Sequence, residues 1–284
     1  MSEIVIKPLR QLAEMYDAVT LQQVYWGTDV ESVVPAHMLF SIASYGGQVL
    51  VAMDGERMVG VLIGLLGADN DALDGSLKTL FIASKRMVVL PEYRSQGIGY
   101  ALKLAQREQA IKQGLELVSW TFDPLLSRNA HLNLRKLGAI CPKYIVNLYG
   151  DSGNLSTLGS SDRFAVEWWI KTADVETRVS GHGEKPILAS LFASGAVIVN
   201  PTTQATFAQP AETLEQPDGN AVLVEIPPEF PDIINGDERL ARAWREHTRG
   251  IFQELMAQGY VVVDFVHETM AGRHRAFYLL RQRA

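Results

Sequence analysis

Cysteine is almost missing from this chain of 284 residues, and with Cys141 as the single one an internal disulfide framework is excluded. Long apolar runs are missing too. The longest, Met58 to Ala68, falls well short of the roughly 20 residues that a membrane-crossing helix needs and reads as a buried strand, so no membrane partner is expected. The opening "MSEIVIKPLR" has no basic patch followed by an apolar core, and a cytoplasmic setting is expected. No basic stripe is interleaved with aromatics, which argues against nucleic acid as a partner. The stretch "HETMAGRH" has Ala271 where a zinc-protease helix has its second histidine, and no metal is expected.

What is present is the composition of a folded soluble protein, 47% hydrophobic and 20% charged, enough for one large or two modest cores. The net charge of −6 is uneven. Residues 1–150 carry 14 Lys+Arg and 14 Asp+Glu, so the excess lies in the remainder, with 12 against 18. That acidic part reads as a solvated surface, although a cationic acceptor would be drawn toward it.

Along the chain, "EIVIKPL" reads as a strand, and a helix follows with Leu12, Met15, Tyr16, Val19 and Val24 at near-helical spacing. A second helix covers Pro35 to Tyr45. Two apolar runs around Asp54-Gly55 then give a strong hairpin signal, and Asp69 to Gly75 form a polar loop. The pattern predicts a strand at about Leu80–Leu90, a helix from Gly97 to about Gln113, a strand over Leu115–Phe122 and a helix over about Arg128–Leu137. "YIVNLYG" and "RFAVEWWIK" close this region as strands, with one of Trp168 and Trp169 in the core. Cys141 reads as a small buried residue. "GDSG" at Gly150 reads as a turn, with no triad order to support a nucleophile there. Beyond Lys171, six of the 12 prolines fall between Pro201 and Pro231, and a helix from Glu238 to about Gln258 leads into two strands. The expected division is residues 1–172 and an α+β region, 173–284.

The stretch "VVLPEYRSQGIGYALKLAQ", Val88 to Gln106, carries the chemistry. A strand breaks at Pro91, passes Arg94 and two glycines, and enters a helix whose first four N–H groups lack intrahelical partners. An anion fits there. Gly97 and Gly99 remove the side chains that would hold a phosphate away, and Arg94 adds a fixed positive charge. The helix dipole alone offers about 0.3–1 kcal/mol, whereas hydrogen bonds to a charged group are worth roughly 1.5–3 kcal/mol each. A tight strand-to-helix turn is the plainer reading of the same glycines. Leu102 stands where a dinucleotide fingerprint needs a small residue, and the Gly-Lys-Ser/Thr of nucleotide hydrolases is absent.

With Arg94-x-x-Gly97-x-Gly99 after an apolar strand, and "SRNAHLNLRKLGA" as a late helix, the sequence resembles the GNAT acyltransferase superfamily from Glu3 to about Lys171. The resemblance implies an α+β fold, a mixed central sheet flanked by helices, with residues 173–284 as a C-terminal α+β extension. It implies acetyl-coenzyme A as acyl donor, with the pyrophosphate on the amides of Gln96, Gly97, Ile98, Gly99 and Tyr100. It also implies a bulge in the fourth strand, which parts from the fifth, so that backbone groups near Val88 and Val89 pair with the pantetheine arm. Asn129 of the late helix is expected among the cofactor-binding residues, although it would also serve to orient an acceptor or cap its own helix.

Transfer to an amine requires the neutral amine. A lysine-like amine with pKa about 10.4 is neutral in roughly one molecule in two thousand at pH 7. The strand "LFIASKRMVVL" supplies no carboxylate base, so the candidates are Asp123, at the end of the fifth strand, and His131. Asp123 before Pro124 is also a natural turn cap. Leu134 stands where the family usually has its acid tyrosine, which weakens one mechanism more than the reaction class, because a thiolate of pKa about 8.5 leaves without much help. The expected activity is transfer of an acetyl or similar group from coenzyme A to a primary amine of a small molecule or peptide. An acyl-coenzyme A sensor or scaffold without turnover is the alternative, and an interaction protein built on the C-terminal region a third. That region is expected to pack against the transferase domain or against its mate in a homodimer, walling the acceptor cleft.

Overall fold

The structure, a computed structural model, describes residues 3–27, 32–68, 79–150, 158, 160–217, 219–270 and 272–282. The expected polar loop at Asp69–Gly75 and residues 151–153 of "GDSG" lie outside them. The chain forms two compact units, Met1–Trp120 with Trp169–Lys171, and Thr121–Trp168 with Thr172–Ala284.

The first unit is built on β1 (Ile4–Pro8), α1 (Leu12–Trp26), α2 (Ala36–Ser44), β2 (Gln48–Asp54), β3 (Arg57–Ala68), β4 (Leu80–Val89), α3 (Ile98–Lys112) and the start of β5 (Leu117–Phe122). The strands lie in the order β1-β2-β3-β4-β5, antiparallel until the last pair, which is parallel. Val49, Val51, Val59, Val61, Leu62 and Ile63 of the β2–β3 hairpin are buried with Met15, Leu39 and Leu102 in one core. Each such fully buried side chain is worth about 1.5–3 kcal/mol.

Helix α1 forms where the spacing predicts it, but rotated. Leu12, Tyr16 and Val24 are exposed, and the buried face is Met15, Ala18, Leu21 and Gln22. Gln22 is tolerated there because its amide group donates to Val34 O (3.3 Å) and accepts from Val34 N–H (3.0 Å).

The second unit contains α4 (Ser127–Ala130), β6 (Ile140–Ile145), β7 (Arg163–Trp169), α5 (Ala173–Val179), α6 (Leu188–Ala193), β8 (Val197–Ile198), β9 (Thr203–Gln204), β10 (Ala208–Gln209), β11 (Ala221–Ile226), α7 (Phe230–Gly236), α8 (Glu238–Ala257), β12 (Tyr260–Met270) and β13 (Arg273–Gln282). Its strand order is β7-β6-β12-β13-β11-β8. Residues 121–168 and 172–284 thus share one sheet and one core, in which Phe164 meets Phe252 (ring centroids 4.7 Å apart) and Tyr278 (5.3 Å). The α+β class with a mixed sheet and flanking helices is as the sequence implies. "YIVNLYG" differs from expectation: β6 starts earlier, at Ile140, and the chain turns at Asn147, which has a positive φ of 46°. Trp168 is the buried member of its pair and donates from Nε1 to Leu137 O at 2.7 Å.

Candidate active site

Helix α3 begins at Gly97, which takes a left-handed φ of 82° that glycine adopts without penalty. Ser95, two residues earlier, is also left-handed at φ 64°. A non-glycine residue held there costs of order 1–3 kcal/mol, and such backbone strain gathers at ligand clamps. The reversal folds the peptide groups into a concave nest, a geometry suited to anions. The helix ladder opens with Ala101 N–H to Gly97 O at 2.9 Å, so the amides of Ile98 and Gly99 belong to the turn that has no intrahelical acceptor.

The two glycines stand in different surroundings. A side chain at Gly97 would have open space but a strained backbone. At Gly99 the φ is ordinary, and a Cβ would make only van der Waals contact, 3.4 Å from the Met87 methyl. Among the described residues nothing demands glycine at 99.

The loop is held rigid from below. Arg94 Nε donates to Val89 O (3.2 Å) and its guanidinium lies 5.3 Å from the Tyr25 ring centroid. Gln96 Nε2 donates to Glu92 O (3.0 Å), and Tyr93 donates its hydroxyl proton to Asp54 (2.7 Å) in the β2–β3 turn.

Beside the loop, β4 and β5 pair among the described residues only at Ile82↔Val118 and Ala83↔Ser119. They part from Ser84 and Trp120 onward. At the same place β4 is bulged, since Ile63 pairs with Arg86 and Gly64 with Ser84, leaving Lys85 as the extra residue. Val88 and Val89 remain paired to β3 on the other side, opposite Val61 and Gly60.

The fork holds residues that sequence reasoning missed. Lys103 of α3 is only 3% exposed. Its Nζ donates to Ser84 Oγ (2.8 Å) and to Gln106 Oε1 (3.1 Å), and lies 3.6 Å from the centroid of the Trp120 ring. Burial pushes its pKa down to about 7. Gly64 makes the room, since a Cβ there would come within 2.9 Å of Gln106 Nε2. The signal was faint: Lys103 and Gln106 fall in register with the buried Ile98, Leu102 and Ala110, where a polar residue needs a reason.

Asp123, Asn129 and His131 belong to the second unit. Asp123, 7% exposed, accepts from Arg245 Nη1 (2.6 Å) and Nη2 (2.7 Å), and its Oδ1 also accepts from Leu125 N–H (2.9 Å). The turn-capping bond expected of a residue before proline is therefore present, and a bidentate guanidinium fork occupies the rest of the carboxylate. Asn129 is exposed, and the N-cap position of α4 falls instead to Leu126, with no side-chain cap. His131 opens a π-helical turn over His131–Lys136 that continues α4. Its Nδ1 is buried without a hydrogen-bond partner, its ring meets His267 edge-on at 5.4 Å, and burial, then Lys136 and Arg135, push its pKa down. Leu134, at the family's tyrosine position, is fully buried. Among the described residues no group of three or more His, Cys, Asp or Glu is placed to hold a metal ion, and no helix is long and apolar enough to cross a membrane.

Residues 45–138 match the family model of the acetyltransferase (GNAT) domain. This stretch contains the Arg94 motif, the fork and the late helix. Among solved structures, the ribosomal-protein-S18-alanine N-acetyltransferase of Escherichia coli aligns at 17% identity and a TM-score of 0.46, over 60% of this chain and 96% of that one. A GNAT-family acetyltransferase of Streptococcus pneumoniae aligns at 16% and 0.45, over 58% and 98%. Arabidopsis thaliana NAA60 in complex with acetyl-CoA aligns at 11% and 0.47, over 59% and 99%. No curated protein sequence matches the chain.

Proposed function

We propose that the protein is an N-acyltransferase that moves an acetyl or similar acyl group from coenzyme A to a primary amine of a small molecule or peptide. The observation that carries this reading is the entrance to α3: a nest with left-handed Ser95 and Gly97, the amides of Ile98 and Gly99 in the helix's first turn, and no reason among the described residues for glycine at 99. A diphosphate matches it in charge and in the number of donors it accepts. The β4–β5 fork beside it offers strand edges from Ser84 and Trp120 onward, to which an extended amide-bearing arm can add as a strand does. Gln96, Gly97, Ile98, Gly99 and Tyr100 would hold the diphosphate, Val88 and Val89 would flank the arm, and Arg94 would fix the loop.

The occupied carboxylate of Asp123 favours a second reading, an acyl-coenzyme A binding protein without turnover, because the acid expected to serve as base is already clamped by Arg245. Release of free thiol from acetyl-CoA, followed with and without pools of primary amines, tests the proposal. Amine-dependent release is the expected result. Binding without release under any amine would leave the sensor reading in place.

A further inference from the structure

Lys103 is a buried amine whose surroundings fit its cation and lack only a counter-charge. An ammonium has three N–H donors and no acceptor. One meets Ser84 Oγ (2.8 Å) and one Gln106 Oε1 (3.1 Å), while the Trp120 face, with its centroid 3.6 Å away, suits the charge itself. The groups that face it are thus Ser84 of β4, Trp120 of β5 and Gln106 of its own helix, and among the described residues no carboxylate pairs with it. Burial alone lowers its basicity, to about 7. Buried charges are ordinarily paired, as Arg245 is with Asp123.

The location says which anion is missing. Ser84 shares a face of β4 with Ile82, and Ile82 and Gln106 both crowd the space above Gly64. On one side Ser84 pairs with Gly64 of β3, and on the other the β4–β5 ladder has ended one residue earlier, at Ala83. An arm that leaves its diphosphate at the α3 entrance and follows β4 from Val89 to Ser84 spans five residues, about 16–17 Å at the rise of a strand. The far end of that arm carries the thioester, whose sulfur departs as an anion. Leu134, at the family's tyrosine position, has no proton to give it. Resting on the acyl-coenzyme A reading above, we infer that Ser84 and Lys103 form a proton relay at the β4–β5 fork, in which Ser84 protonates the departing thiolate and Lys103 stands behind it as proton source and counter-charge.

The steps balance, and no acyl group is attached to the protein at any stage. The neutral acceptor amine bonds directly to the thioester carbonyl carbon. As the C–S bond breaks, the Ser84 hydroxyl gives its proton to sulfur and takes one from the Lys103 ammonium. The amine nitrogen sheds its extra proton to water, and Lys103, left neutral, regains one from water.

Free coenzyme A is the probe, because its thiol can be titrated on the full chain without an acceptor. A free thiol ionises near 8.5, and an opposite charge within about 4–6 Å moves such a value by about 1–3 units. The ultraviolet absorbance of the thiolate should therefore appear at a pH at least about 1 unit lower for bound than for free coenzyme A. Lys103→Met should return the titration to near 8.5. Lys103→Arg should keep the shift, since it keeps the charge, but it cannot give up a proton. With hydroxylamine as probe amine, thiol release from acetyl-CoA should fall by about 10²-fold in Ser84→Ala, Lys103→Met and Lys103→Arg. Melting curves show whether each variant is folded, and the wild-type titration decides the matter if Lys103→Met is not.

Calorimetry with coenzyme A separates the two proposals. If coenzyme A binds and its thiol titrates near 8.5, or is shifted equally in folded Lys103→Met, the relay is overturned and the donor reading stands. If coenzyme A and acetyl-CoA both fail to bind, the donor reading falls and the relay falls with it.

Discussion

The two units treat buried charge in opposite ways. In the second, acids are clamped by arginines: Asp123 by Arg245, Asp162 by Arg249 (2.8 Å), Asp264 by Arg135 (2.9 Å) and Arg178 (3.0 Å), and Glu225 by Arg275 (2.5 Å). In the first, Lys103 is buried with a hydroxyl, an amide and an aromatic face and no acid, and the entrance to α3 presents backbone donors in an unpaired turn. Pairing that satisfies both partners holds a structure in place but removes them from chemistry. Groups left partly committed cost stability and remain available to a ligand. By this measure the ionic groups of the second unit serve its stability, and those of the first remain available to a ligand.

The comparison breaks most completely if the clamped unit does not depend on its C-terminal part. A chain ending at Lys171 loses α8, β11, β12 and β13, and with them Arg245, Arg249, Phe252 and Tyr278 from a core that residues 121–168 cannot close alone. We expect this fragment to lack cooperative unfolding of residues 121–168 by hydrogen exchange. A fragment as protected there as the full chain would show that the ionic clamps are dispensable.

A single clamp comes next. Asp123→Asn leaves Arg245 buried with its partner removed, and breaking a buried pair from one side costs about 3–5 kcal/mol. That exceeds the roughly 0.5–2 kcal/mol of a lost cap. If Asp123 is instead a base, the melting curve will hardly move and turnover will fall.

In the first unit the effect is one of pH. Lys103 titrates near 7 when folded and near 10.4 when unfolded, so between those values the unfolded chain binds more protons and stability rises with pH. Below about 7 both states are protonated and the burial penalty on the cation is fully present. Lys103→Met should abolish the rise, seen as melting temperatures that no longer climb between pH 7 and 10 relative to wild type. Parallel pH curves for the two proteins would mean that Lys103 is not held as described.

How much of this was legible in the sequence follows the same division. The Asp54-Gly55 hairpin, β4, α3 and α8 lie close to where hydrophobic period and turn residues put them, because those signals are local. The α3 entrance was legible too, since Gly97 announces its left-handed backbone directly. Helix α1 was rotated because Tyr16 and Val24 count as apolar by type while Gln22, buried through its bonds to Val34, counts as polar. Asp123 looked like a base because its partner lies on α8, 122 residues further on, and no spacing rule connects them. Lys103 was overlooked for the same reason: Ser84 and Trp120 reach it only once β4, β5 and α3 are assembled.

The central claim, that the entrance to α3 holds the diphosphate of an acyl-coenzyme A, is tested most directly at Gly99. Its φ is ordinary and its surroundings admit a side chain, and a carboxylate in the first turn suits the helix dipole, so Gly99→Glu should fold as well as wild type. Placed where the phosphates would lie, it should exclude them. Calorimetric titration of acetyl-CoA should give micromolar affinity for the wild type, about −8 kcal/mol, and no measurable heat for folded Gly99→Glu. Equal affinity in the two proteins would contradict the assignment.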